Sequence, residues 1–151
     1  MKRSEKEITD KSAIEAIINS SLVCRLSLSD GEQPYIVPLS FGYQDKTLYF
    51  HSAPEGRKID IIKKNNRICF EFDVNTEIIK AEDACKWGMK YQSVIGFGKA
   101  VFVENIEEKQ KAFNIIMNHY SNRIFQFPDK AIEKIAVIKI EIESMTGKHS
   151  S

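Results

Sequence analysis

The fold prediction starts from residues 49–58, YFHSAPEGRK. An apolar strand over residues 48–51 ends here, and a helix is predicted over residues 54–65 with Pro54 in its first turn. The first turn of a helix exposes unpaired N–H groups at the positive end of the helix dipole, and Arg57 and Lys58 add formal charge beside it. This strand-to-helix turn is therefore predicted to bind an anion such as a phosphate group.

A purely structural explanation of the same turn stays open. Ser52 and Glu55 have the spacing of a capping box, in which the two side chains bond to the N–H groups of a helix start. Arg57 and Lys58 could equally form a solvated basic face of the helix. The spacing alone does not decide between these explanations.

Strand patterns surround the turn on both sides. Apolar and polar residues alternate over residues 22–29, which places Leu22 and Cys24 on the same, buried face. Six strands are predicted in total, over residues 22–29, 35–43, 48–51, 67–74, 91–103 and 136–142. Pro38 cannot donate to a sheet ladder, so it belongs at an edge or a bulge. The irregular segment 75–90 is expected to lie outside the sheet.

Helices are predicted mainly near the ends of the chain. Thr9 or Asp10 can cap a first helix, Asn105 opens another, and Pro128 starts a short helical piece. The strands have hairpin-like spacing, and helices do not separate every pair of them. This arrangement favours a mainly β fold, an antiparallel β-barrel with peripheral helices, over a doubly wound α/β sheet.

Length and charge limit the possible partners. A chain of 151 residues is expected to form a single domain over residues 1–151. Lys and Arg number 22 against 21 Asp and Glu, so no global field would gather nucleic acid or an anionic membrane surface. A local basic patch at Lys63 and Lys64 leaves nucleic-acid binding as a minor alternative. Neither nucleic acid nor a membrane is expected as a partner.

Targeting and redox signals favour a cytoplasmic location. Residues 1–10 are charged and lack the apolar run of a secretory signal, and no stretch has the roughly 18 apolar residues of a membrane span. The cysteines Cys24, Cys69 and Cys85 are odd in number and widely spaced, so neither a disulfide framework nor a metal site is predicted. Cys24 and Cys69 are expected to be buried thiols.

The chain resembles the pyridoxamine 5′-phosphate oxidase-like FMN-binding split β-barrels, nearest their nitroimidazole-resistance branch. The resemblance rests on residues 34–43, 48–58 and 87–100, with Glu7-Ile8 and Thr146-Gly147-Lys148 near the ends. It implies a six-stranded antiparallel split β-barrel that forms a homodimer with FMN at the interface.

The resemblance also implies a role for particular residues. The isoalloxazine ring system would be flanked by Ile36, Val37, Pro38 and Leu39, and its edge and ribityl chain by Tyr49, Phe50, His51 and Ser52. The phosphate would be held by Arg57 and Lys58, while Gln92 and Ser93 reach in from the partner strand. His51 would be the catalytic residue, donating a hydrogen bond or proton to a reducible substrate, although a lone histidine at a strand end can also be structural.

The implied function is that of an FMN-dependent oxidoreductase, passing electrons from an external donor to a small acceptor such as a nitro-aromatic compound. No G-x-G-x-x-G fingerprint is present, so a nicotinamide donor would bind only transiently. His51 and Ser52 depart from true oxidases, and their arginine-bearing C-terminal arm has no counterpart here, so oxidation of pyridoxamine 5′-phosphate is not expected. The alternative is a non-catalytic protein that holds FMN or haem for storage or sensing.

Overall fold

Strands dominate the structure, a computed structural model that describes residues 4–151. Residues 1–3, part of the predicted domain and of its charged start, lie outside the described residues. The strands are β1 (Glu7–Ile8), β2 (Cys24–Ser29), β3 (Pro34–Leu39), β4 (Gly42–Gln44), β5 (Thr47–Ser52), β6 (Arg67–Ile79), β7 (Gly88–Val103) and β8 (Ala136–Ser150). The helices are α1 (Lys11–Ser20), α2 (Arg57–Lys64), α3 (Ile106–Tyr120) and α4 (Asp129–Glu133), with 3₁₀ turns at Ser4–Lys6 and Ala84–Lys86.

The strands form one antiparallel sheet in the order β3-β2-β6-β7-β8-β5-β4, and β1 pairs with β8. The predicted mainly β class with peripheral helices is therefore confirmed. Strands β3 and β4 form the two edges and do not pair with each other within residues 4–151, so the sheet is not closed. Pro38 lies in β3, in agreement with its predicted place at an edge.

The predicted number of six strands is wrong, because the described residues form eight. The pattern at 35–43 divides into β3 and β4 where Phe41 turns into the core, and its N–H donates to the hydroxyl of Tyr120 at 3.0 Å rather than to a neighbouring strand. The short strand β1 has too few residues to show an alternating pattern. These two features account for the additional strands.

The predicted excursion at 75–90 is too long, since β6 continues to Ile79 and β7 begins at Gly88, which leaves only residues 80–87 outside the sheet. Asn75 has a φ of 57°, and the pairing register shifts between Val74 and Glu77, so a bulge interrupts the alternation. Beyond the bulge the hairpin has no buried residue on either strand. The usual contrast between buried and exposed positions is therefore missing from this part of the sequence.

The main core lies between the inner sheet face and helices α1 and α2. Its fully buried aromatic residues are Phe41, Phe50, Phe70 and Phe72. A second cluster joins α3 and α4 to the strands and contains Val103, Ala112, Phe113, Ile132 and Val137. The two clusters fix the helices to the sheet by burying apolar surface.

Two predictions of burial are wrong. Leu22 precedes β2 and is 71% exposed, so the alternation of that strand does not extend to it. Cys69 is only partly buried, because it lies on the opposite sheet face from Phe70. Cys24, by contrast, is fully buried as predicted.

The caps of α1 and α3 agree with the sequence. The carboxylate of Asp10 accepts a hydrogen bond from the N–H of Ala13 at 3.0 Å. The side chain of Asn105 accepts from the N–H groups of Glu107 and Glu108, at 2.9 and 3.1 Å. Both helix starts are thereby satisfied by their own side chains.

Candidate functional site

The start of α2 lacks the side-chain cap that the other two long helices have. Gly56 is its N-cap residue, with a φ of 137° and no side-chain hydrogen bond. The alternative of a capping box is wrong, because the hydroxyl of Ser52 donates to the carbonyl of Ala53 at 2.9 Å and no side chain caps the helix. Pro54 likewise lies before the helix and not in its first turn. The N–H groups of the first turn thus have no capping side chain and can bind an anion.

Arg57 and Lys58 stand at this helix start. The guanidinium of Arg57 lies 4.4 Å from the centre of the Tyr35 ring. Lys58 is partly buried, and its desolvation lowers the pKa of the ammonium below the ordinary 10.5. Within residues 4–151 neither cation forms an ion pair with a carboxylate. The set of donors therefore fits a phosphate, which would supply the missing negative charge.

His51 lies at the end of β5, next to this helix start. Its imidazole stacks on the ring of Phe113 in α3, with centroids 5.5 Å apart and planes inclined by 29°. Burial lowers the pKa of His51 below the ordinary 6.5, and the charge of Lys58 lowers it further. The ring is accordingly uncharged at neutral pH.

Strand geometry divides the predicted flavin-binding residues between two faces. In β3, Ile36 and Pro38 point outward, and Ile36 is 60% exposed, whereas Val37 and Leu39 pack against the main core. In β5, Phe50 is fully buried. Val37, Leu39 and Phe50 could therefore offer a ligand mainly their backbone.

The other three predicted flavin-binding residues of β5, Tyr49, His51 and Ser52, lie near α3 or just before α2. Tyr49 packs against the second cluster beside α3, the cluster that also contains the Phe113 ring stacked on His51. Ser52 is the last residue of β5. Four residues separate Ser52 from Arg57, so these three residues lie on the strand that leads into the start of α2.

Gln92 and Ser93 lie elsewhere in the same chain. His51 is in register with Val137, which is in register with Val103 of β7. Ser93 is ten positions from Val103 along β7, a separation of roughly 30 Å at the rise of an extended strand. As neighbours in a strand, Gln92 and Ser93 also point to opposite faces. A single chain thus does not bring them to the start of α2.

The outer sheet face is an exposed apolar surface. We define the outer sheet face by two rows of residues in register across β3, β2, β6, β7 and β8. One row is Ile36, Ser27, Cys69, Phe97 and Ser144, and the row beside it is Pro38, Arg25, Glu71, Ile95 and Thr146. Phe97 is 53% exposed and Ile95 47%. Large apolar side chains gathered on one exposed face are typical of a protein–protein interface.

A charged cluster lies within this face. One nitrogen of Arg25 is 3.1 Å from Asp73 and 3.5 Å from Glu71. The longer contact with Glu71 is not a hydrogen bond, and the buried Oε1 of Glu71 has no hydrogen-bond partner within the described residues. Burial and the neighbouring Asp73 raise the pKa of Glu71 to about 7, against the opposing effect of Arg25.

Tyr35 and Phe113 are contacts of the site that the sequence did not single out for it. Tyr35 lies under Arg57, and Phe113 lies under His51. Both aromatic residues belong to apolar strand or helix patterns, which predict a core position and not the neighbour that each ring touches. No local signal could have identified them.

Neither a metal site nor a membrane-spanning helix is found among the residues that the structure describes. Among residues 4–151, no group of three or more His, Cys, Asp and Glu side chains is placed to hold a metal ion. In the same part of the chain, no helix has the length and apolar character needed to cross a membrane.

Comparison with known proteins supports a relationship across most of the chain. A family model described as pyridoxamine 5′-phosphate oxidase matches residues 10–149. The crystal structure of a candidate 5-nitroimidazole antibiotic resistance protein from Bacteroides thetaiotaomicron is 39% identical, with a TM-score of 0.86 over 95% of this chain and 86% of that one. No protein of curated function matches the sequence.

More distant structures share the fold alone. The flavocytochrome Anf3 from Azotobacter vinelandii is 18% identical, with a TM-score of 0.87 over 100% of this chain and 72% of that one. An FAD-binding protein from Mesorhizobium loti is 22% identical, with a TM-score of 0.71 over 97% of this chain and 98% of that one.

Proposed function

Because the chain belongs to the pyridoxamine 5′-phosphate oxidase family, we propose that it binds FMN and passes electrons from an external donor to a small acceptor such as a nitro-aromatic compound. The observation that carries this proposal is the start of α2, where Gly56 leaves the helix without a side-chain cap and Arg57 and Lys58 have no carboxylate partner within residues 4–151. The 39% identity to the candidate nitroimidazole resistance protein supports the choice of acceptor.

Different residues of the site would bind different parts of the cofactor. The first-turn N–H groups, Arg57 and Lys58 would bind the phosphate. Ile36 and Pro38 would face the isoalloxazine with their side chains, and Val37 and Leu39 with their backbone. Tyr49, Phe50, His51 and Ser52 would line its edge and the ribityl chain. Bound FMN would supply the redox chemistry, while the protein orients it and tunes it.

His51 would act on the acceptor as a hydrogen-bonding group. Its lowered pKa keeps the imidazole uncharged at neutral pH, so one ring nitrogen donates a hydrogen bond and the other accepts one. The stacking contact with Phe113 limits the rotation of the ring. This arrangement favours binding and orientation of a polar acceptor group over outright proton donation at pH 7.

We further propose that the site is completed by a second copy of the chain. Gln92 and Ser93 are roughly 30 Å from His51 along one protomer, so they would contact the flavin only from the partner. The exposed Ile36, Ile95 and Phe97 of the outer sheet face would be covered in such a homodimer. The three free thiols are consistent with the cytoplasmic location that we propose as well.

Spectroscopy tests the proposal in two stages. The absorbance spectrum of the purified protein, with and without added FMN, should show flavin bands that change on binding. Under anaerobic conditions NADH or NADPH should then bleach the flavin, and a nitroimidazole should restore its colour. A protein that ignores added FMN would contradict the cofactor assignment. Flavin that binds but is reduced by no common donor would instead favour a storage or sensing role.

A further inference from the structure

We propose that Tyr35 is a positioning residue for phosphate binding, because its aromatic face holds the guanidinium of Arg57 at the start of α2. The inference rests on the proposed FMN site and deepens it, since it assigns a role in cofactor selection to a strand residue that does not itself need to touch the phosphate.

The contact joins a fixed ring to an exposed cation. Tyr35 lies in β3 in register with the buried Leu28 of β2, and it packs against the main core. Its ring is therefore held by packing on one side. The guanidinium of Arg57 lies 4.4 Å from its centre, within the range of a cation–π interaction.

Arg57 has no other fixed partner among the charged groups of the described residues. It is exposed, it follows Gly56 at the start of the helix, and it forms no ion pair within residues 4–151. A long side chain in this setting would sample many rotamers in solvent, and binding a ligand would then require ordering it. The Tyr35 ring limits this freedom before the phosphate arrives.

Stacking leaves the binding function of the guanidinium intact. The aromatic ring occupies the flat face of the group, while its N–H donors point outward in the plane and remain free for two phosphate oxygens. The same contact links α2 to β3, the strand whose Ile36 and Pro38 would face the isoalloxazine.

The test compares two flavins in three proteins. FMN and riboflavin differ only in the phosphate, so their dissociation constants separate phosphate binding from ring binding. Tyr35→Leu, which removes the aromatic face, should weaken FMN binding about three- to fivefold and leave riboflavin binding unchanged. Tyr35→Phe, which keeps the ring and loses the hydroxyl, should bind both flavins as the wild type does. Thermal unfolding verifies that each variant is folded, and Tyr35→Met replaces Tyr35→Leu if the latter is not.

A double-mutant cycle distinguishes positioning from general stability. In an Arg57→Ala background, Tyr35→Leu should have no further effect on FMN binding, because the cation that it positions is gone. Equal losses for FMN and riboflavin, an effect of Tyr35→Phe as large as that of Tyr35→Leu, or additivity in the cycle would each overturn the role of the ring. Wild-type protein that binds neither flavin would overturn the proposed function together with this inference, whereas normal wild-type binding and an unaffected Tyr35→Leu variant would overturn the inference alone.

Discussion

The imidazole of His51 stacks on the ring of Phe113, with centroids 5.5 Å apart and planes inclined by 29°. Partial desolvation of the imidazole is the larger cause of its lowered pKa, followed by the charge of Lys58. A histidine whose folded pKa is depressed binds its proton less readily than in the unfolded chain. The folded state therefore loses stability from this group as the pH falls through its unfolded value of about 6.5.

The effect of Lys58 on His51 can be measured directly. Lys58→Gln removes a neighbouring positive charge, so the pKa of His51 should rise towards 6.5 in an NMR titration of the imidazole C–H signals. Lys63→Gln, on the same helix, removes an equal charge that is not among the causes of the shift and serves as the matched control. An unchanged His51 titration in Lys58→Gln would show that burial alone sets its pKa. His51→Asn identifies the signal.

The raised pKa of Glu71 predicts the opposite pH dependence of the free energy of unfolding. Its pKa rises from 4.5 to about 7 on folding, because the carboxylate is desolvated and faces Asp73. The protonated carboxyl of Glu71 is accommodated in the folded state without loss of stability below pH 4.5, where the group is protonated in both the folded and the unfolded state. This contribution to the stability of the folded state is lost as the pH rises to about 7 and the group ionises.

Glu71→Gln tests this dependence, because glutamine does not ionise. The free energy of unfolding of the variant should exceed that of the wild type by an amount that grows between pH 5 and pH 7 and then levels off. Urea titrations at several pH values measure it. A difference that does not vary with pH would contradict the shift of the Glu71 pKa.

Gly42 marks a close approach of α3 to the sheet. A Cβ atom at this position would lie 2.7 Å from the backbone of Ile115 and Ile116, which cannot move without displacing the helix. Gly42→Ala should therefore lower the free energy of unfolding by about 1–3 kcal/mol. Gly88→Ala is the matched control, since its nearest contact is a side-chain atom at 3.5 Å. Equal stability of the two variants would mean that α3 packs less closely on β4.

Much of the fold could be predicted because half-buried strands show period-two alternation. Strands β2, β6 and β8 show this alternation, and the caps of α1 and α3 follow instead from the preference of Asp and Asn for helix starts. The arm of the β6–β7 hairpin was missed because both of its faces are exposed, and the division of β3 from β4 because a tertiary hydrogen bond from Phe41 to Tyr120 ends the ladder. The sequence therefore does not predict a strand with two exposed faces, or a strand end that depends on a contact with a distant residue.

In the candidate site, too, only the features within one short segment could be predicted from the sequence. Arg57, Lys58 and His51 lie in one short segment, so their proximity followed from the sequence. The rings beneath Arg57 and His51 come from β3 and α3, and only the folded chain brings Tyr35 and Phe113 there. Sequence spacing identified the charges and polar groups, while the contacts that hold them had to be seen in the structure.

The outer sheet face should mediate association of two chains. Phe97→Glu places a charge in the exposed apolar surface, so it should convert the proposed dimer to a monomer in size-exclusion chromatography with light scattering, and FMN binding should fall with it. Trp87→Glu alters a half-exposed aromatic residue outside this face and should leave the dimer intact. A dimer that survives Phe97→Glu would place the interface elsewhere.

The phosphate assignment is tested most sharply within α2. Replacing Arg57 and Lys58 together with Ala removes two charged donors from the helix start, each worth about 1.5–3 kcal/mol in a charge-assisted hydrogen bond. FMN affinity should fall by at least about 100-fold, with thermal unfolding little changed because Arg57 is exposed and Lys58 only partly buried. The matched control, Lys63→Ala with Lys64→Ala, removes the same charge from the last turn of the same helix. If the control weakens FMN binding as much, the effect comes from the overall field of the helix and not from contacts at its start.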